Sequence, residues 1–96
     1  MRRPCVYIMA SAPYGTLYTG VTSNLAQRVH QHKADAFGGF TKQYGCKLLV
    51  WYEHYDRMID AIAREKQIKA GSRAKKVALV QGVNPKWKDL YDSLAL

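Results

Sequence analysis

Glu65 stands where a carboxylate has no ordinary reason to be. At about 100° per residue along 57–70 (RMIDAIAREKQIKA), Met58, Ile59, Ala61, Ile62 and Ile68 share one broad apolar arc. Glu65 falls inside that arc, away from the polar side that carries Asp60 and Arg64. A carboxylate on a packed face must find a partner, because an unpaired buried charge is very costly. Either a salt bridge or a loop cap neutralises it, or it holds a metal ion at the edge of a cleft. A second helical pattern, in TSNLAQRVHQHKADAF, does something similar. Leu25, Val29 and Ala36 define its buried stripe, and Arg28 and His32, four residues apart, project together at the edge of that stripe. Arg28 is a planar, permanent cation suited to a phosphate. His32 can donate to the same phosphate or shuttle a proton. Singly, each reads as a side chain snorkelling at a helix edge; two helices that both send polar groups inward are harder to explain that way.

Tyr7 and Tyr18 complete the set. They lie in CVYIMA (5–10) and TLYTGV (16–21), two Val-, Ile-, Thr- and Tyr-rich runs separated by a segment with Pro13 and Gly15, which reads as a β-hairpin. Loop parity decides what the tyrosines do: an even loop puts both on one face of the sheet, and an odd loop separates them. The other histidines add little. His30 is offset toward solvent, His54 lies in the third strand, and the three have no common metal-ligand spacing.

The elements that position these residues follow from local signals. Asn24 caps the first helix, with Gln27 three residues later as in a capping box. FGGFTKQYGCK reads as a glycine-rich loop. KLLVWYEHY (47–55) is a third strand, apolar on both parities at its start and so expected to be covered on both faces. The second helix, 57–70, stops at Gly71, Ser72 caps a third over RAKKVALVQ, and Asn84 with Pro85 opens a fourth in NPKWKDLYDSL. The predicted order is β-β-α-β-α-α-α: an α+β fold whose antiparallel sheet is flanked by helices, in one domain over 1–96.

Fifteen Lys and Arg against seven Asp and Glu give a net charge of +8, and the pI of about 9.7 is that of a nucleic-acid-binding domain. Arg64, Lys66, Lys69, Arg73, Lys75 and Lys76 crowd six of those fifteen cations into thirteen residues. Such a run is ordinarily a solvated helix face. With Lys42, and with Trp51, Trp87 and Tyr91 elsewhere, it is also a candidate phosphate-tracking surface; Trp87 and Leu90 otherwise serve as apolar anchors for the last helix. Cys5 and Cys46, lone and far apart, support no disulfide framework or zinc site and suit a reducing cytoplasm. The apolar run after the two N-terminal arginines is too short for a secretory signal, and no window approaches a membrane span.

In order and spacing these residues resemble the GIY-YIG nuclease domain, in its small single-domain bacterial branch. Val6-Tyr7 and Tyr18-Thr19-Gly20 stand at the two motifs that name the family, although Cys5-Val6 replaces Gly-Ile and Thr19 replaces Ile. Arg28 matches the family's helix arginine, His32 a histidine seen in many members, and Glu65, within AREKQIKAGSRAKKVALV, the metal-binding glutamate. Val21 stands where some relatives carry a lysine, and the family's late asparagine has no match beyond Asn84, itself simply read as a helix cap. The resemblance implies a three-stranded antiparallel sheet and a DNA endonuclease with one Mg²⁺ or Mn²⁺ ion. Glu65 would hold the metal, Tyr18 would deprotonate or orient the attacking water with Tyr7 as its neighbour, and Arg28 and His32 would stabilise the phosphate charge. It also makes the hairpin loop even. A domain this small is expected to select nucleic-acid structure more than sequence, with RNA not excluded. Two other readings stay open: a catalytically weak nucleic-acid-binding module, and a basic scaffold for an acidic protein.

Overall fold

β1 (Cys5–Ala10) is buried along its whole length, because it runs down the middle of a three-stranded sheet ordered β2-β1-β3. The computed structural model describes residues 3–35 and 40–94. β2 (Leu17–Thr22) pairs antiparallel with β1, Ala10 opposite Leu17 and Met9 opposite Tyr18. The connecting loop, 11–16, is therefore even. β3 (Leu48–His54) pairs antiparallel on the other side, and its register slips between Ile8 and Met9, leaving Val50 as the extra residue of a bulge.

Both faces of the sheet are covered. Val6, Ile8 and Ala10 pack with Val50, Trp51, Ala61, Ile68, Val80 and Trp87, under α3 (Met58–Ala70) and α4 (Arg73–Val83). Cys5, Tyr7 and Met9 pack with Leu25, Val29, Cys46 and Leu49, under α1 (Leu25–Lys33). This two-sided burial is why β1 and the start of β3 read as continuous apolar runs rather than alternating ones. Both tryptophans are core residues, which removes them from any phosphate-tracking surface.

Several elements differ from the sequence reading. The glycine-rich stretch contains a short helix, α2 (Phe40–Tyr44), ended by Gly45 at φ +62°, a left-handed turn that glycine adopts without strain. Ala36, expected in the stripe of α1, lies outside the described residues. Gly71 closes α3 in an extended conformation (φ −78°) instead of a left-handed one; a β-carbon there would stand 3.3 Å from the Ile68 carbonyl oxygen, so the corner into α4 is tight. Ser72 caps α4 through the Lys75 amide.

Asn84 starts no helix. It ends α4, and its side chain donates to Val50 O (3.1 Å) and Lys88 O (2.8 Å) and accepts from Lys88 N (3.0 Å). With its amide spent on the β3 bulge, the chain turns sharply through Trp87 (φ +54°) and ends in a 3-10 turn, Leu90–Ser93. Trp87 anchors this segment without a helix around it. Asp89 then reaches back to Lys33 and to the Leu49 amide (3.2 Å). Among the described residues no helix is long and apolar enough to cross a membrane.

Candidate active site

The even loop places Tyr7 and Tyr18 on the same face, diagonal to one another, with ring centroids 6.4 Å apart. The residue directly opposite Tyr7 is Gly20, and a β-carbon at Gly20 would lie 2.5 Å from both Cζ and Oη of Tyr7. Glycine at the end of the second motif is thus the space in which the first motif's tyrosine lies. Its role requires knowledge of the register, which is why it did not stand out among the chemical residues of the sequence.

α1 supplies the next two groups. Asn24 accepts from the Gln27 amide (3.2 Å) and fixes the first turn, which sets Arg28 and His32 one turn apart on the side facing the tyrosines. His32 Nε2 is 2.8 Å from Tyr7 Oη, and its ring lies 5.4 Å from that of Tyr18. The Arg28 guanidinium reaches the same Tyr7 hydroxyl. Burial, reinforced by neighbouring Tyr18, pushes the Tyr7 phenol well above its ordinary pKa, and Arg28 only partly offsets this. Burial first, and the Arg28 charge second, push the His32 imidazole below its ordinary value. Tyr7 therefore stays a neutral phenol and His32 a neutral imidazole. The Tyr7 hydroxyl shares one hydrogen bond with His32 Nε2 and accepts another from Arg28. His32 is only 3% exposed and is held against Tyr7.

Glu65 stands on α3, which packs on the other face of the sheet, and it meets this cluster through Lys69. α3 lies alongside the edge strand β2, and Lys69, one turn after Glu65, has its Nζ 3.3 Å from Glu65 Oε2 and 5.9 Å from the centre of the Tyr18 ring. The apolar arc around Glu65 is narrower than the sequence pattern implied. Ala61 and Ile68 are buried, whereas Ile59 and Ile62 are exposed, since α3 rests on the sheet by one side only. The Glu65 side chain is nonetheless only 16% exposed.

The other basic residues do not form one surface. Arg64, expected on a polar face, turns toward β3 and donates to Glu53 (3.2 Å) and Gln67 (2.7 Å). Arg73 donates to the Tyr14 and Gly15 carbonyl oxygens of the hairpin loop (2.6 and 2.9 Å). Lys75 and Lys76 line, with Arg64, a cavity of about 250 Å³ between α3 and α4, on the flank of α3 away from Glu65. Lys66 and Lys42 are exposed. The residue that sequence reasoning undervalued is Lys69, classed only with the other cations; its i,i+4 spacing from Glu65 was the available signal.

Among the described residues, no three His, Cys, Asp or Glu side chains gather as a metal-holding group. A single hard carboxylate fits Mg²⁺ or Mn²⁺, which bind through one or two carboxylates, substrate phosphates and retained waters. It does not fit a closed zinc site.

A three-stranded antiparallel sheet with two tyrosines from its hairpin on one face, an arginine from the following helix and a glutamate from the helix after the third strand defines one class of domain. The family model for the GIY-YIG catalytic domain matches residues 3–78, and the chain belongs to that family, a nuclease family. Within it, the chain is similar to the UPF0213 protein of Natronomonas pharaonis, 41% identical over 75 residues that cover 78% of this chain and 87% of that one. It is also similar to the UPF0213 protein of Syntrophus aciditrophicus, 37% identical over 82 residues, 84% and 93% of the two chains. The solution NMR structure of a UPF0213 protein from Bacillus halodurans shares the fold, with a TM-score of 0.57 at 24% identity over 98% of this chain and 99% of that one.

Proposed function

We propose that this protein is a divalent-metal-dependent DNA endonuclease that hydrolyses phosphodiester bonds and selects its substrate by structure. The observation that carries the reading is the convergence of Tyr7, Tyr18, His32 and Arg28 on one face, with the shielded Glu65 carboxylate reaching them through Lys69. An Mg²⁺ or Mn²⁺ ion held by Glu65, its coordination completed by water and phosphate oxygens, would offset charge on the scissile phosphate and its leaving oxygen.

The chain's own groups divide the rest. Tyr18, half-buried at the sheet edge, orients the attacking water. Arg28 meets the charge that develops on the phosphate, and does so in a partly desolvated site where such a contact is strong. Tyr7 does not act as the base, since burial keeps its proton on; it fixes Arg28 on one side and His32 on the other. Lys42, Lys66, Lys75 and Lys76 supply sequence-independent contacts to phosphates. The protein would work in the cytoplasm, where the free, buried Cys5 and Cys46 stay reduced.

The test is cleavage of labelled single-stranded, nicked, flapped and branched DNA, with RNA as a parallel arm, in Mg²⁺ or Mn²⁺ against EDTA. Wild type is expected to cut in a metal-dependent way, and Glu65→Gln and Tyr18→Phe to lose about 10²-fold or more while still binding. The Glu65–Lys69 ion pair favours one second reading, a binding module in which Glu65 is a structural partner. Salt-sensitive binding without cutting anywhere on the panel would establish that reading and overturn the first.

A further inference from the structure

The Glu65–Lys69 pair is unequal. The carboxylate is shielded, whereas the Lys69 side chain is 50% exposed. Lys69 is held at two points, by the Glu65 oxygen and by the Tyr18 ring, and both belong to the proposed site. A cation over an aromatic face is attracted by the ring quadrupole, and one in the last turn of a helix is favoured by the helix dipole; Lys69 satisfies both conditions. The neighbouring cations do not share this position. Arg64 is turned to Glu53 on the opposite flank of α3, and among the described residues Lys69 is the ion-pair partner of Glu65.

A divalent cation at Glu65 would compete for an oxygen that Lys69 already contacts, and the two positive charges would stand a few ångströms apart, where Coulomb repulsion is substantial. We infer that Lys69 is the resident counter-ion of the metal site: it neutralises Glu65 in the metal-free protein, is displaced when the ion binds, and once displaced contacts a phosphate of the bound nucleic acid. This rests on the reading of Glu65 as the metal ligand. It makes metal binding and phosphate binding mutually supportive, since a phosphate that draws Lys69 away opens Glu65, and a metal that occupies Glu65 releases Lys69. Thermodynamic linkage requires the coupling to be equal in both directions.

The experiment is Mn²⁺ binding to the nucleic-acid-free protein, followed by the EPR signal of free Mn²⁺ and by water-proton relaxation. Lys69→Met and Lys69→Gln are expected to bind Mn²⁺ about three- to fivefold more tightly than wild type, the scale of a partly exposed ion pair. Lys69→Arg, which retains the charge, is expected to stay within about twofold, and Glu65→Gln to bind at least about tenfold more weakly. Unchanged or weaker binding in Lys69→Met, with Glu65→Gln impaired, overturns the counter-ion role and leaves the metal reading standing. Glu65→Gln binding like wild type, or no Mn²⁺ binding by any of the proteins, overturns the metal reading and the counter-ion with it.

Discussion

Gly20 and Tyr7 are two residues of one device. A methyl group at position 20 would enter the Tyr7 ring at 2.5 Å, a clash that forces the buried ring or the strand beside it to shift at the contact with His32. Gly20→Ala is expected to cost about 1–3 kcal/mol in a urea melt and to abolish cleavage even where the protein remains folded at low temperature. His32 gives a pH dependence of definite sign. The unfolded imidazole takes its proton near 6.5, whereas the folded one, depressed by burial and by Arg28, takes it only at lower pH. Acid thus stabilises the unfolded chain: the contribution of His32 is complete above about pH 6.5 and is lost as pH falls toward the folded value. Thermal midpoints measured between pH 7.5 and 5 are expected to drop, and His32→Asn to flatten that drop; a profile as steep as wild type would contradict it. The types and spacing of Tyr7, Tyr18, Arg28 and His32 were visible in the sequence because the hairpin and the first helix are local. The Tyr7–His32 bond and the space at Gly20 were not, because both depend on cross-strand register and on how α1 lies over the sheet.

At the scale of elements, the first part of the chain was legible and the last was not. Asn24 and Ser72 cap helices through bonds to the Gln27 and Lys75 amides three residues on, and nearby sequence contains everything such a cap needs. Asn84-Pro85 carries the same local signal, yet one tertiary hydrogen bond to Val50 and two to Lys88, four residues on, claim the asparagine side chain. No local rule reveals a bulge in a strand 34 residues away. Asn84→Ala is expected to cost about 2–4 kcal/mol, because it strips the buried Val50 carbonyl of that donor and frees the turn that seats Trp87. Urea unfolding followed by tryptophan fluorescence measures this, and a loss below about 0.5 kcal/mol would show that the bulge is held by something else.

For the whole molecule, the net charge of +8 sets how quickly the protein meets a polyanion, but the structure separates cations that are free from cations that are engaged. Arg64 and Arg73 are bound within the protein, while Lys75 and Lys76 have no carboxylate partner among the described residues and face an open cavity. Fluorescence anisotropy with an oligonucleotide across a salt series tests the distinction. Lys75→Ala with Lys76→Ala is expected to flatten the slope of log affinity against log salt by about two. Arg73→Ala is expected to leave the slope unchanged and to lower the thermal midpoint, since its guanidinium holds the hairpin loop.

The bonds from Asn84 and Asp89 back to Val50, Leu49 and Lys33 also set a timetable. A ribosome delivers the tyrosines, the arginine and the glutamate first, and the residues that clamp the third strand afterwards. A nascent chain therefore carries Tyr7, Tyr18, Arg28 and Glu65 before it has the Asn84 and Asp89 bonds to the third strand. A chain stalled after residue 83 retains Trp51 as its sole tryptophan, and its exposure to acrylamide should mark the unfastened state.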